Sequence, residues 1–492
     1  MMQEMSQSEL KAERKRAKSR TVRPPQPVFD ENGYQAIDLH VVEYGDSRTI
    51  DNVDLERGDG AQGQQAGNQA GYTGTLMNYC KGNIGTGCYA MGEAFRNGGL
   101  LMGPLLTIVI GLISLHCQHI VLECTELMEA KLAEERAKRG HSAIEERQLT
   151  FAETVGYCFQ YGPERFRPWA NTMRHTVNVF TCVTQLGFCC IYYVFIGSSM
   201  KQIADYCGMH LPTGTHLALL LILLIPLCLI TKLNRLTPFS AVANVLMGLG
   251  VAVCFYYALK DPLPDGALTE RALVAEPDRI PPFFSTVIFA FEGVSLVLPL
   301  KNGMRRPQDF GRTSGVLNVG TAFIVVLYVA LGFVGYLRWG DEVQGSMTLN
   351  LPDGELLAET VKLCIASGVL LGFALQLYIA VEVLWPLVQR YLPIVNKQPT
   401  ICEMILRTLL VLMISFIGTF VPHLGLFISL MGALCSTVMG LIFPAIISLI
   451  VAYSNPNVRP GGWLLAKNIG ILLLGVVGFA CGTYVSIRQI MN

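Results

Sequence analysis

Two short stretches of this chain carry groups that could hold a small zwitterion inside a membrane. The first is Lys81-Gly82-Asn83-Ile84-Gly85-Thr86-Gly87, which sets three glycines and an asparagine in an otherwise apolar run. The second is Phe289-Ala290-Phe291-Glu292-Gly293, followed by Pro299. Glycine costs about 1 kcal/mol against alanine inside a helix, and proline about 3, so both runs are expected to open locally. An opened helix offers N–H groups at the start of one half, where the dipole favours an anion, and carbonyls at the end of the other, where a cation binds. The carboxylate and ammonium of an amino acid, about 3 Å apart, match such a break. Backbone recognition is therefore assigned to Gly82, Asn83, Ile84, Gly85, Thr86 and Gly87, with Gly293 facing them from the second break. The alternative is that the glycines only let helices pack closely. Packing motifs space glycines four apart, whereas these fall at 82, 85 and 87.

Glu292 is a carboxylate at membrane depth, where an acid costs on the order of 3 kcal/mol and usually marks an ion or proton path. It could equally brace the opened segment by accepting backbone N–H groups, and the two roles are compatible. Phe289 and Phe291 flank it and could close over a small side chain, or simply pack. His116 and His119 lie deep in the second apolar run, where an imidazole could carry a proton or serve as a satisfied structural group.

The elements that must position these groups follow from composition. Of 492 residues, 51% are hydrophobic and only 15% charged, against about 25% charged in soluble domains. Apolar runs of roughly 20 residues, long enough to cross a bilayer, recur along the chain. The expected fold is all-α and integral to the membrane, with about eleven spans near 75–95, 99–122, 174–199, 215–231, 238–259, 283–300, 314–337, 358–386, 407–421, 424–452 and 467–487. This excludes a soluble enzyme, a disulfide-stapled secreted domain and a nucleic-acid binder. Formal charge balances, 37 basic against 37 acidic residues, so no global field points to nucleic acid. Most of the 15 cysteines sit in apolar runs, as Cys189 and Cys190 do, and act as small hydrophobes. There is no His-Glu-x-x-His or Gly-x-Ser-x-Gly motif, so no catalysis, cofactor or metal is expected.

Two regions are expected: a disordered tail, 1–73, and a transmembrane domain, 74–492. The tail holds the basic run Lys11–Arg23 and the low-complexity stretch Ala61–Gly71, a composition that cannot offset ordering entropy. Tyr34-Gln35-Ala36-Ile37 has the form of an endosomal or lysosomal sorting signal. Lys and Arg concentrate in the loops on the tail's side, while the opposite side holds only Arg96, Lys201, Lys260, Arg271, Arg279, Arg338 and Arg488. The tail is thus expected to be cytoplasmic and the C-terminus extracytoplasmic. The interrupted runs are spans 1 and 6, at corresponding places of two five-span halves, the pattern of an inverted-repeat transporter. Their ends also match, Arg96-Asn97-Gly98 and Lys301-Asn302-Gly303.

The strings Lys81–Gly87, Ile113–Ile120 (ISLHCQHI), Gln185–Cys190 (QLGFCC), Phe289–Leu300 (FAFEGVSLVLPL) and Gly345–Pro352 (GSMTLNLP) resemble the proton-coupled amino-acid transporters, a branch of the amino acid/auxin permease family. The resemblance runs in order from about residue 73 to the C-terminus. It implies an inverted-repeat fold similar to the leucine transporter, with broken helices 1 and 6. It also implies substrates such as glycine, alanine and proline, and a plasma-membrane or late endosomal and lysosomal address. Two departures stand out. The family's coupling histidine falls three residues before Lys-Gly-Asn, where this chain has Asn78, an amide that cannot titrate. The vertebrate family disulfide would pair Cys207 with the position of Gly354, so Cys207 is expected to be a free thiol. The expected function is secondary transport of small neutral amino acids by alternating access. The proton site has either moved to Glu292, His116 or His119, or coupling is lost. The alternative function is a low-flux sensor, or transceptor, whose tail meets a growth-signalling partner.

Overall fold

The computed structural model describes residues 70–138, 148–210, 212–230, 233–264, 267–392, 395, 397–420, 423–454 and 461–491. The sorting-signal tetrapeptide Tyr34–Ile37 and the tail up to residue 69 lie outside the described residues. The described part is almost wholly helical, and nine of its helices are long and apolar enough to cross a membrane. Two further expected spans fall short of that standard for physical reasons. Span 1 is divided into Tyr72–Asn83, Thr86–Tyr89 and Met91–Gly98. Span 4, Thr213–Cys228, has only 16 residues, about 24 Å of helix against a hydrocarbon core of about 30 Å.

The other spans are Met102–Lys138 (span 2), Ala170–Tyr206 (span 3), Leu233–Lys260 (span 5) and Ile280–Ala290 with Val294–Asn302 (span 6). They continue with Val316–Trp339 (span 7), Leu356–Tyr391 (span 8) and Pro399–Thr419 (span 9). Span 10 runs from Leu424 to Ala452 and span 11 is Gly462–Met491. Span 2 outruns its apolar stretch into a polar extension, where Glu134 and Lys138, four residues apart, pair at 2.7 Å, an arrangement that adds modest support to a solvated helix. Between spans 2 and 3 a helix at Phe151–Gln160 starts with a capping box. Thr150 Oγ1 accepts from the Glu153 N–H, and the Glu153 carboxylate accepts from the Thr150 N–H. Glu153 also pairs with Arg174 of span 3 at 3.0 Å.

Packing divides the spans into two groups. Spans 1, 2, 6 and 7 pack on one another, and spans 3, 4, 8 and 9 form a second set. Within these sets span 1 meets 6, 2 meets 7, 3 meets 8 and 4 meets 9. Four spans of the first half thus lie against the ones five places on, an arrangement that suits two inverted halves. The contact of spans 3 and 8 is the most extensive. Span 10 is not a regular α-helix. It carries π turns at Gly432–Ser436 and Val438–Ile442, a feature common at functional sites. The first of them lies against the first half of span 6, where Gly432 packs on the carbonyl of Ser285 and on Phe289.

Candidate functional site

In span 1 the first half ends at Asn83, whose Nδ2 donates 2.9 Å back to the carbonyl of Tyr79. Such a side-chain bond competes with the helical ladder. Ile84 (φ −81°, ψ 84°) and Gly85 (φ −129°, ψ −161°) leave the helix, and Gly85 N–H bonds the Asn83 carbonyl at 3.0 Å. The second half begins at Thr86, so the N–H groups of Thr86 and Gly87 have no carbonyl a turn behind them. In span 6 the first half ends at Ala290, and Phe291, Glu292 and Gly293 separate it from Val294.

The three glycines of span 1 do different things. A Cβ on Gly87 would lie 2.8 Å from Ala290 Cα, and one on Gly82 would lie 2.5 Å from Leu296 Cδ1. These two hold the halves of span 1 against the halves of span 6. Gly85 is uncrowded, since the only atom near its would-be Cβ is the Tyr192 hydroxyl, at a van der Waals distance of 3.9 Å. Tyr192 comes from span 3, beside Gln376 of span 8 and over Gly372.

The two breaks are joined by one side chain. Tyr328 of span 7 is fully buried, with its hydroxyl 2.7 Å from the Asn83 carbonyl and 2.8 Å from the Ala290 carbonyl. A phenol has one proton, so it satisfies the end of one first half at a time. A polar chain runs beside it. The Tyr79 hydroxyl donates 3.0 Å to Gln118 Oε1 and exchanges a 2.9 Å bond with Thr321. Gln118 Nε2 donates to Ser114 Oγ at 3.5 Å, and Ser114 donates to the Phe291 carbonyl at 3.4 Å. Gly293 looks onto this chain, with its would-be Cβ 3.4 Å from both Asn83 Oδ1 and Gln118 Nε2.

Glu292 points to a different neighbour, the π segment of span 10. Ser436 stands beside it, although neither Glu292 Oε2 nor Ser436 Oγ completes a hydrogen bond in strict geometry. Cys435 lies within the field of Glu292 and next to Thr184 of span 3. The neighbouring Gln185 leaves Oε1 buried without a partner. Phe289 and Phe291, two residues apart, point to opposite sides. Phe289 meets Phe188 at 5.1 Å between centroids and closes on Gly87. Phe291 meets Tyr328 at 5.0 Å and packs over Gly111.

The remaining titratable candidates disperse. His119 Nε2 bonds Asn318 of span 7 at 2.8 Å. His116 lies in the field of Lys467 of span 11, with its Nε2 buried and unpartnered. Asn78 is exposed on the first half of span 1. Cys207 is a free, exposed thiol, and Gly354 occupies a positive-φ turn at φ 91°. Among the described residues no cluster of His, Cys, Asp or Glu could hold a metal. Tyr328, Tyr192, Gln118 and Ser436 were given no role by the sequence reading. Gln118 alone had a local signal, an amide inside an apolar run four residues after Ser114.

Comparison with known proteins gives the following similarities. The profile of the family described as transmembrane amino acid transporter protein matches residues 68–488. The chain is 36% identical over 424 residues to the proton-coupled amino acid transporter-like protein pathetic of Drosophila melanogaster, covering 85% of each chain. It is 26% identical over 427 residues to the amino acid transporter ANT1 of Arabidopsis thaliana, covering 83% of this chain and 90% of the relative. Among solved structures it is similar to MhsT in complex with L-phenylalanine, at a TM-score of 0.44 and 12% identity, covering 84% of this chain and 98% of that one.

Proposed function

This chain belongs to the transmembrane amino acid transporter family, a multi-pass amino-acid transporter and not an enzyme, and we propose that it carries small neutral amino acids of the alanine, glycine and proline class by alternating access. The observation that carries this reading is the pairing of the two breaks at one place, with the open backbone of Gly85 under Tyr192. The substrate carboxylate meets the free N–H groups of Thr86 and Gly87 at the start of a half-helix. The ammonium takes the spare lone pair of the Ala290 carbonyl, which accepts at most one hydrogen bond from Tyr328 and has room for two. The Tyr192 hydroxyl, 3.9 Å from where a Cβ on Gly85 would sit, limits the side chain that fits. Spans 1, 2, 6 and 7 then move as a group against spans 3, 4, 8 and 9.

Coupling needs a group whose protonation differs between the outward and inward forms, and Asn78 supplies none. Transport is therefore uncoupled or weakly coupled, with Glu292 as the carboxylate best placed to carry a residual proton, since it lies in the break itself. The tail side is cytoplasmic on the Lys/Arg asymmetry, and the address is the plasma membrane or the late endosome and lysosome. The test is uptake of labelled alanine, glycine and proline into proteoliposomes with and without an inward proton gradient. Saturable exchange that ignores the gradient is expected. Uphill accumulation that requires the gradient would overturn the uncoupled reading, and binding without measurable flux would replace carrier by sensor.

A further inference from the structure

Span 11 is the least buried of the nine long spans, with 17% of its apolar window covered by protein, so it faces the bilayer. Between it and span 2 lies a groove of about 310 Å³, lined by Ile113, Trp463, Lys467, Gly470, Ile471 and Leu474 together with Ala466. Every lining side chain except Lys467 is apolar or small. Lys467 is half-buried and forms no ion pair or hydrogen bond with any described residue. It lies near His116 and Cys117 of span 2, and the Nε2 of His116 is itself buried without a partner.

Among the described residues none supplies an anion for this lysine. Its position explains how the charge is kept. Lys467 is five residues into a helix that starts at Gly462, about 7.5 Å along the axis. Its long stem therefore reaches the headgroup layer while its methylenes cover apolar wall. Trp463, 81% exposed one turn earlier, is the residue type that settles at a membrane interface. A cation one turn past such a tryptophan is placed for a lipid phosphate, beside a wall of Ile113, Ile471 and Leu474 that suits an acyl chain. A second groove gives the contrast. About 440 Å³ in size, it is lined by Ile108, Val325, Val326, Val329, Ala330, Phe333 and Val334, so it has no group with which to select a headgroup.

We propose that the groove between spans 2 and 11 is a binding site for an anionic phospholipid, with Lys467 pairing the headgroup phosphate and the apolar wall holding an acyl chain. Basic pockets between membrane helices recognise lipid headgroups in this way, each basic residue contributing about 1 kcal/mol.

The experiment uses the full chain in nanodiscs of phosphatidylcholine, alone or mixed with phosphatidylserine. Lipid retained by the protein is measured by native mass spectrometry, and thermal melting is followed in parallel. Wild type is expected to retain phosphatidylserine over phosphatidylcholine and to melt higher in its presence. Lys467→Ala should cut that preference about fivefold, and Lys467→Arg should keep it. Lys467→Met, which keeps the apolar stem, should melt as wild type does in pure phosphatidylcholine while losing the preference, separating loss of the site from loss of fold. Equal enrichment of phosphatidylserine in wild type and Lys467→Met would overturn the proposal, as would equal retention of the two lipids by wild type. Stabilisation of wild type in phosphatidylcholine discs by inorganic phosphate alone would also overturn it, because the ligand would then be a free anion. Nanodiscs present the lipid on both faces, and neither readout measures flux, so the result is independent of orientation and of the transport reading.

Discussion

Replacing Tyr328 by phenylalanine isolates what joins the two broken helices. The ring keeps its volume and its contact with Phe291 at 5.0 Å, so only the hydroxyl is lost. That hydroxyl sits 2.7 Å from the Asn83 carbonyl and 2.8 Å from the Ala290 carbonyl. With one proton it satisfies one of them at a time, so the loss is that of one buried hydrogen bond and not two. The Asn83 carbonyl keeps its bond from the Gly85 N–H at 3.0 Å, so the group left without a partner is the Ala290 carbonyl, at a cost of about 1–3 kcal/mol, a factor of roughly 5 to 150 in any equilibrium that the bond biases. Both carbonyls end half-helices next to the substrate position, so uptake should suffer along with stability. Initial rates of labelled-alanine uptake, normalised to folded protein in proteoliposomes, are expected to fall at least about fivefold on this estimate, with a lower melting temperature. Tyr193→Phe is the matched control. Its buried hydroxyl donates 2.8 Å to the Leu217 carbonyl and meets Ser415 at 2.6 Å, within the packing of spans 3, 4 and 9 and away from the breaks. It should lose comparable stability and keep its uptake per folded molecule. Wild-type uptake in Tyr328→Phe, or an equal loss in Tyr193→Phe, would refute the idea that this hydroxyl serves the site and not merely the fold.

The glycines of span 1 should separate in the same assay. Gly85→Ala has room and an accessible backbone, so it should express normally while its added methyl narrows the site and slows proline more than glycine; Gly85→Val should abolish uptake with surface expression intact. Gly87→Ala would put its Cβ 2.8 Å from Ala290 Cα, so the amount of folded protein should fall instead, as measured by detergent-solubilised monodisperse yield. Glu292→Gln keeps the shape of the span 6 break but removes its charge, and uptake should be lost at unchanged expression; normal uptake would take Glu292 out of the transport cycle. Asn78→His introduces an imidazole that titrates near about pH 6.5 in water, so uptake should come to rise as external pH falls through that region. An unchanged pH profile would remove position 78 from coupling.

Where the helices break was legible in the chain because the causes are local. Gly82, Gly85, Gly87 and Asn83 weaken span 1 wherever it is packed, and Gly293 does the same in span 6, whereas Pro299 lies inside the helix Val294–Asn302 and not at the break. The membrane class followed from composition, since a bilayer demands long apolar helices and little charge. The partners across the breaks are another matter. Tyr328 reaches Asn83 over 245 residues and Ala290 over 38, and no periodicity in either segment encodes that meeting. Nor do residue types tell Gly87, pressed on Ala290, from Gly85, which is uncrowded below Tyr192. Phe289 and Phe291 carry the same chemistry, and only the rotation of the half-helix that ends at Ala290 sends one towards span 3 and the other towards span 7. Backbone propensity is a property of a few neighbouring residues, whereas the direction in which an exposed backbone or side chain points depends on how all the spans pack. The sequence by itself thus determined a membrane protein with two weakened helices, and the tertiary packing decided which groups meet there, because those contacts are made between helices far apart in the chain.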